Sequence, residues 1–458
     1  MRVAVVGAGI AGVTTAYELA ADGHEVAVFE RRGSVAAEGS FANAGVLAYH
    51  YAAQWLSAEP RSILLGRLFG NRTALSWCPS WRAAQWRRLS QLGRGDGRAA
   101  QQRAADLHAL ARFSVERLQT LTAQLQLEYE QGAGYLVLLR RERELARLRT
   151  ELAALRELNL SYRELDPAQC RALEPGLNPD QPLAGGIRFE QGQVANCRQF
   201  AHLLREAAER RGAEFHFGAA ATLLGADAGG PMLRVEQHAL STGFAATTLA
   251  HGKDAVQVRR QVMQRRSAAA ARYLDPVSEQ RYDAVVLCAG AASATMLRTI
   301  GLRLPLVPVH GYSMTAPLRA PERAPCSALM DEQYKVVISR MGQRVRVAGG
   351  AEIGGHPAKH DRAAIATLYR VLGDWFPGAA HLARPQLWKG ARAMLPGGLP
   401  LIGASGAPGV WLNLGHGAGG WTLSCGSARL LADLMGGHPT AVDARGYSFE
   451  RYDKRQGR

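Results

Sequence analysis

The sequence predicts an α/β protein of two or more domains. Three observations carry this: its length, an N-terminal strand–turn–helix–strand unit, and later apolar strands that return to that unit. At 458 residues the chain is longer than a single hydrophobic core usually serves. Val3 to Val6 form a short apolar run suited to a buried parallel strand. Gly7-Ala8-Gly9-Ile10-Ala11-Gly12 follows as G-x-G-x-x-G. In such a turn Gly7 permits the bend, Gly9 lets the backbone approach a pyrophosphate, and Gly12 lets the helix sit close to the strand. Ala11, Val13, Ala16, Leu19 and Ala20 give that helix a small apolar face, Gly23 ends it, and Glu25 to Phe29 form the next strand. Glu30 stands at the strand tip, where a carboxylate accepts hydrogen bonds from ribose hydroxyls. The unit is Rossmann-like and predicts a bound dinucleotide. Three glycines within the apolar run, with Glu18 and Asp22 soon after, argue against a secretory leader.

Composition narrows the function classes. The net charge is +16, yet the basic residues are mostly arginines spread along the chain, with no zinc-finger spacing or RNA-recognition string beside them. No nucleic-acid partner is therefore expected, although a basic chain is drawn to anionic surfaces. No run is long and apolar enough to span a bilayer. Cys78, Cys170, Cys197, Cys288, Cys326 and Cys425 form no C-x-x-C and no metal-ligand spacing, and read as scattered buried thiols of a reducing compartment. No metal site is expected.

Further along, Glu38-Gly39-Ser40-Phe41-Ala42-Asn43-Ala44-Gly45 is a small, polar run at the carboxyl edge of the second strand, where doubly wound sheets bind ligands. Tyr49 to Trp55 mixes aromatic and polar residues as a pocket rim does. Trp77, Trp81 and Trp86 stand among Arg82, Arg87 and Arg88; this fits a membrane-surface segment, or a helix face with snorkelling arginines. Leu107, Leu110, Phe113, Leu118, Leu121 and Leu125 space a long amphipathic helix over 100–128. A strand over 134–140, a charged helix over 142–160 and a short helix after Asp166-Pro167 follow. A strand over 185–190 then leads through Val194 into a helix ending near 211, and Glu214 to Phe217 is a strand again.

Residues 237–281 read as a β-meander loop swollen by a basic insertion, either disordered or helical. Tyr282 to Leu287 is a buried strand, and its small-residue end, Ala289-Gly290, is able to lie against a dinucleotide. Leu306 to Met314 is a strand carrying His310-Gly311-Tyr312-Ser313. Residues 334–340 and 344–350 form a hairpin, and 361–376 a helix. Val410 to Leu414 is the last strand. Gly415-His416-Gly417-Ala418-Gly419-Gly420-Trp421-Thr422 opens a second helix whose N-terminus suits a polar or anionic ligand.

Taken in order, the glycine turn ending in Glu30-Arg31, the Ser40 to Gly45 string, His310 to Ser313, Tyr334-Lys335, Gly390-x-Arg392 and Asn413-x-Gly415-His416-Gly417-x-x-Gly420-Trp421-Thr422 resemble the bacterial D-amino acid dehydrogenase family. That family lies within the glycine oxidase and D-amino acid oxidase group of FAD enzymes. The resemblance covers nearly all of the chain outside about 240–280. It implies non-covalent FAD and a second, mixed-sheet substrate domain of α+β type. The implied FAD-binding domain comprises 1–50, 194–300 and 396–440, the substrate domain 51–193 and 301–395, and 441–458 is a C-terminal tail. The implied reaction converts a D-amino acid to its 2-oxo acid and ammonia. Electrons pass to a quinone or respiratory-chain acceptor, on the cytoplasmic side and in peripheral contact with the membrane. An oxygen-using amine oxidase of the glycine or sarcosine type, or a non-catalytic flavoprotein scaffold, are the alternatives.

The expected cofactor residues are Val3, Val6, Gly7, Gly9, Ile10, Ala11, Gly12, Glu30, Arg31, Ser40, Asn43, Ala44, Gly45, Val194, Ala289, Gly290, Gly415, His416, Gly417, Gly420, Trp421 and Thr422. Arg392 is the candidate clamp for the substrate carboxylate, because a guanidinium grips a carboxylate through two bonds. Tyr312 and Tyr334 are candidates to bond that carboxylate or cover the pocket, or else are core tyrosines. His416 would orient the flavin, or cap the turn. Where the family has Thr-Pro-Asp-Gly after Met394, this chain has Leu395-Pro396-Gly397-Gly398, so a carboxylate and a hydroxyl are absent there.

Overall fold

Three sheets organise the protein, in a computed structural model that describes residues 1–48, 75–77, 97–155, 161–238, 277–356 and 358–452. The first sheet has six strands, in the order Leu401–Ala404, Val410–Leu414, Ala284–Leu287, Arg2–Val6, Glu25–Glu30 and Glu214–Phe217. All neighbours are parallel except the antiparallel pair at the first edge. The apolar run Val3 to Val6 is buried because its strand is central and covered on both faces. The helix Ile10–Ala21 returns the chain to Glu25–Glu30. It packs against the helices Cys197–Glu209 and Gly420–Gly436.

The second, larger sheet is mixed. Its main order is Gln386–Met394, Val307–Pro317, Arg344–Ile353, Val336–Met341, Ala328–Asp331, Gln131–Leu139, Gly185–Ala195 and Val46–Leu47. One face is closed by the helix Arg362–Trp375, whose Leu368, Val371, Leu372 and Trp375 are buried over Met314, Ile338 and Val347. The third sheet is a meander of Ala219–Asp227, Gly230–Gln237 and Val277–Arg281, so the expected meander is present. The basic insertion between its last two strands lies outside the described residues, as do the Tyr49 to Trp55 rim and the side chains of the Trp77 to Arg88 segment.

Several expectations are corrected. The long helix, Gly97–Gln124, was expected with the substrate domain, but it packs on the nucleotide layer, against Gly420–Gly436. Its Leu107, Leu110, Leu118 and Leu121 bury in the same core as Val13 and Leu19, and Gly426 admits Ser114 so closely that its N–H donates to Ser114 Oγ at 2.9 Å. In the expected C-terminal tail, Tyr447 and Phe449 enter two cores. Cys326 is exposed, whereas Cys170, Cys197, Cys288 and Cys425 are buried thiols.

The three-helix contact holds a buried charge. Glu18 has no exposure, and its carboxylate accepts from Arg117 Nε and Nη2 at 2.8 Å and from Arg429 Nη1 at 2.9 Å. Removing one member of a buried ion pair costs about 3–5 kcal/mol; here Arg117 would lose its carboxylate, while Arg429 keeps Asp22 and Asp433. Glu18→Ala is therefore expected to lower the melting temperature by several degrees with FAD bound, and a calorimetric scan that overlays the parent protein refutes this.

Candidate active site

The glycine turn has the geometry that its sequence requires. Gly7 has φ +100°, and a Cβ there would lie 2.9 Å from Cys288 O and 3.1 Å from Ala289 Cα. The turn thus rests on the end of the adjacent strand, at Cys288 and Ala289. A Cβ on Gly12 would come within 1.8 Å of Gly7 O, which measures how closely the helix approaches the strand. Gly9 differs: its Cβ direction is open, with only Ser40 Oγ nearby at 3.7 Å. Ser40 Oγ also accepts the Ile10 N–H at 3.1 Å. Glu30 accepts the N–H groups of Ala8 and Arg32, both at 2.8 Å. Burial raises its pKa despite these two bonds. An ionised carboxylate has about four acceptor positions, so two remain for a diol. Arg31 is engaged in a two-bond pair with Glu38 at 2.6 and 2.8 Å.

A cleft of about 160 Å³ lies between the first and second sheets. Its walls are the Ala42 to Val46 loop, the His416 to Leu423 turn, Gly311 to Ser313, and Trp388, Gly390 and Arg392. The last three alternate along the strand Gln386–Met394, so one pleat face looks into the cleft. Gly311 pairs in register with Gly390. A Cβ on Gly311 would meet Arg392 Nη2 at 2.5 Å, so Gly311 clears a bed for the guanidinium, while Gly390 makes room for Trp388 and Gly39. Arg392 Nη1 donates to Gly350 O at 3.0 Å, and burial draws its pKa down to about 10, leaving it charged at neutral pH. Trp388 packs on Phe41 with ring centroids 4.4 Å apart.

His416 is buried, with Nε2 3.0 Å from Ser427 Oγ, and burial lowers its pKa from 6.5 to about 4. The imidazole is neutral at working pH. Between those two values the unfolded chain binds the proton that the folded chain refuses, so stability is complete above about 6.5 and falls as pH drops toward 4. A shift of this size corresponds to roughly 3 kcal/mol. His416→Asn is expected to flatten the acid side of a plot of urea midpoint against pH; an unchanged slope overturns the assignment.

Part of the expected set of site residues lines the cleft, and the rest lies outside its walls. Asn43, Ala44, Gly45, Tyr312, Arg392, His416, Trp421 and Thr422 line one cleft. Tyr312 does so as a wall: its hydroxyl bonds Glu352 and accepts the Asp361 N–H at 3.0 Å, and its ring belongs to the core of the second sheet. Tyr334 is not in the lining; its ring lies under the Arg140 guanidinium at 5.0 Å, because the tight turn before Val336 directs it to the opposite side. Its neighbour Lys335, at φ +50°, lines the cleft instead and pairs with Glu332. Leu107, Trp388 and Val337 are further lining residues that the sequence reading missed. Alternation with Arg392 was the available signal for Trp388. Gly397, where the family's aspartate stands, lies beneath Arg103, with its Cβ direction 3.3 Å from Nε.

The residues present fit FAD. Gly9 leaves open space at a helix N-terminus, suited to a pyrophosphate. Within the cleft, Ser313 Oγ and Trp421 Nε1 are buried with no protein partner among the described residues, so polar atoms wait for a ligand. The family model described as DAO, FAD dependent oxidoreductase, matches residues 2–434. A protein of Rhizorhabdus wittichii named D-amino acid dehydrogenase is 35% identical over 455 residues, covering 99% of this chain and 100% of that one. Another of that name, from Cereibacter sphaeroides, is 36% identical over 455 residues, covering 99% and 95%. Among solved structures, glycine oxidase from Geobacillus kaustophilus superposes with a TM-score of 0.68 at 20% identity, covering 98% of each chain. L-proline dehydrogenase from P. horikoshii superposes at 0.67 with 14% identity, covering 99% of each; these two likenesses establish the fold. The chain is an enzyme of the DAO family of FAD-dependent oxidoreductases.

Proposed function

We propose that this oxidoreductase deaminates D-amino acids. In the balanced reaction a D-amino acid, an acceptor and water give the 2-oxo acid, ammonia and the reduced acceptor. The observation that carries the reading is the Arg392 guanidinium, held over Gly311 in a cleft of largely apolar and small residues. The names of the full-length relatives direct it to D-amino acids. FAD supplies the two-electron oxidant.

The protein's own part is positioning. Arg392 takes the carboxylate through two charge-assisted bonds. Leu107, Val337 and Trp388 exclude water, which strengthens that bond and favours the uncharged amine. Neutral His416 adds no charge to the pocket. Among the described residues that line the cleft there is no aspartate or glutamate to serve as a base. The geometry therefore supports catalysis by orientation and desolvation, with hydride leaving the α-carbon of the neutral amine.

We assign the second half-reaction to a quinone or respiratory-chain acceptor, at the cytoplasmic face of the membrane. No helix among the described residues is long and apolar enough to cross a bilayer, so contact there would be peripheral. Anaerobic mixing with D-alanine is expected to bleach the flavin, and L-alanine is not. A soluble quinone analogue should then restore the colour faster than air. No bleaching across a panel of D-amino acids overturns the substrate assignment, and peroxide as the main product in air overturns the acceptor.

A further inference from the structure

Behind the Asn43 to Gly45 wall of the cleft lies a guanidinium that the reaction above does not use. Arg346 is 5% exposed and sits in the interior of the second sheet. Its strand neighbours in register are Thr315 on one side and Ser339 on the other. Nε donates to Thr315 Oγ1 at 3.0 Å, and Nη1 donates to Asn43 O at 3.1 Å. Ser339 Oγ donates to the next carbonyl, Ala44 O, also at 3.1 Å. Two successive carbonyls of the loop are thus drawn toward the sheet.

A trans peptide points its C=O and the following N–H in opposite directions. With the Asn43 and Ala44 carbonyls facing the sheet, the N–H groups of Ala44 and Gly45 face the cleft. Asn43 Oδ1 takes the Gly45 N–H at 3.1 Å. No acceptor among the described residues takes that of Ala44, so it is a donor offered to the cleft. Only glycine fits at this point of the loop: Gly45 has φ +75°, and an added Cβ would run into Met341 Cε and Ala195 O.

The same side chain brings charge. Burial and the nearby Arg344 and Arg198 draw the Arg346 pKa down to about 10, so it remains a cation at neutral pH. The carboxylate that opposes this charge, Glu130, already accepts from Arg344 Nη2 at 2.7 Å and Asn196 Nδ2 at 2.7 Å. A cation one peptide layer behind a cleft acts through a low dielectric, where its field on a charge developing inside is strong.

We propose that Arg346, with Ser339, is a positioning residue that presents the Ala44 N–H and a backing positive charge to bound FAD, and so makes it easier to reduce. The inference rests on FAD occupying this cleft and not on the identity of the substrate. It is tested on the FAD-loaded protein without any amino acid, by sulfite titration and by the flavin midpoint potential. Arg346→Gln is expected to weaken sulfite adduct formation about tenfold and to lower the potential, while Arg346→Lys, which keeps the charge, retains most of both. Arg346→Gln with full FAD content and parental sulfite affinity overturns the proposal. If that variant does not fold, Ser339→Ala decides: a weaker sulfite adduct and an altered flavin spectrum support the proposal, and parental values for both overturn it.

Discussion

Replacing Arg392 with methionine is expected to lower kcat/KM for D-alanine by about a thousandfold while FAD stays bound. Truncating one partner of a buried, hydrogen-bonded charge pair costs about 2–5 kcal/mol, and each 1.4 kcal/mol is a factor of about ten. The cost is large here because the guanidinium is pre-placed: Gly350 O holds one nitrogen at 3.0 Å and Gly311 lies flat beneath it. Arg392→Lys keeps the charge without the planar two-bond grip, and an intermediate loss of about 10–100-fold follows. The measurement is the anaerobic rate of flavin bleaching against D-alanine concentration. Methionine and lysine variants that both reduce at the parental rate exclude Arg392 as the clamp.

The second large effect is at Gly12. Its Cβ would stand 1.8 Å from Gly7 O and 2.9 Å from Gly7 C, both backbone atoms that cannot rotate away. Gly12→Ala must push the helix off the strand, and overlaps of that kind belong to the rare substitutions costing more than about 4 kcal/mol. The variant is expected to be unfolded, or folded without colour. Gly9→Ala makes the contrast, because its Cβ direction is open and its φ of −66° suits any residue. That protein should fold with normal thermal stability in the absence of cofactor, yet hold FAD weakly, since the methyl occupies space needed by the pyrophosphate. Visible flavin absorbance per chain, beside circular dichroism, separates the two outcomes. Equal FAD content in Gly9→Ala and the parent refutes the assignment of the turn.

Legibility in the sequence followed the range of the physics. The Gly7 to Glu30 unit was readable because each glycine answers a local demand of the turn. The strands at 214–217, 284–287 and 410–414 were readable as short strands, and all three join that unit's sheet. Arg392 and Tyr312 were marked by the glycines beside them, and those glycines pair across neighbouring strands. Tyr334 was misplaced because a single positive φ at Lys335 decides which of two adjacent side chains faces the cleft. Leu107 and the helix Gly97–Gln124 were assigned to the wrong layer, since an amphipathic pattern names a buried face but not its partner. Arg346 was invisible among so many arginines; only burial and the carbonyl of Asn43 distinguish it.

The central strand of the first sheet sets a timetable for biosynthesis. Val3 pairs with Val26 on one side and with Ala284 on the other. Ala284's strand in turn needs Val410–Leu414. Chains emerge at roughly 5–20 residues per second, so the nucleotide turn is made tens of seconds before its second flank exists. During that interval an apolar strand edge is open to other chains, and the surface on which Gly7 rests, at Cys288 and Ala289, has not left the ribosome. The full bed of the nucleotide turn, with Cys288 and Ala289 behind Gly7, is therefore complete only late in synthesis. Yield in a producing cell should accordingly respond to slower translation and to chaperones before it responds to added riboflavin.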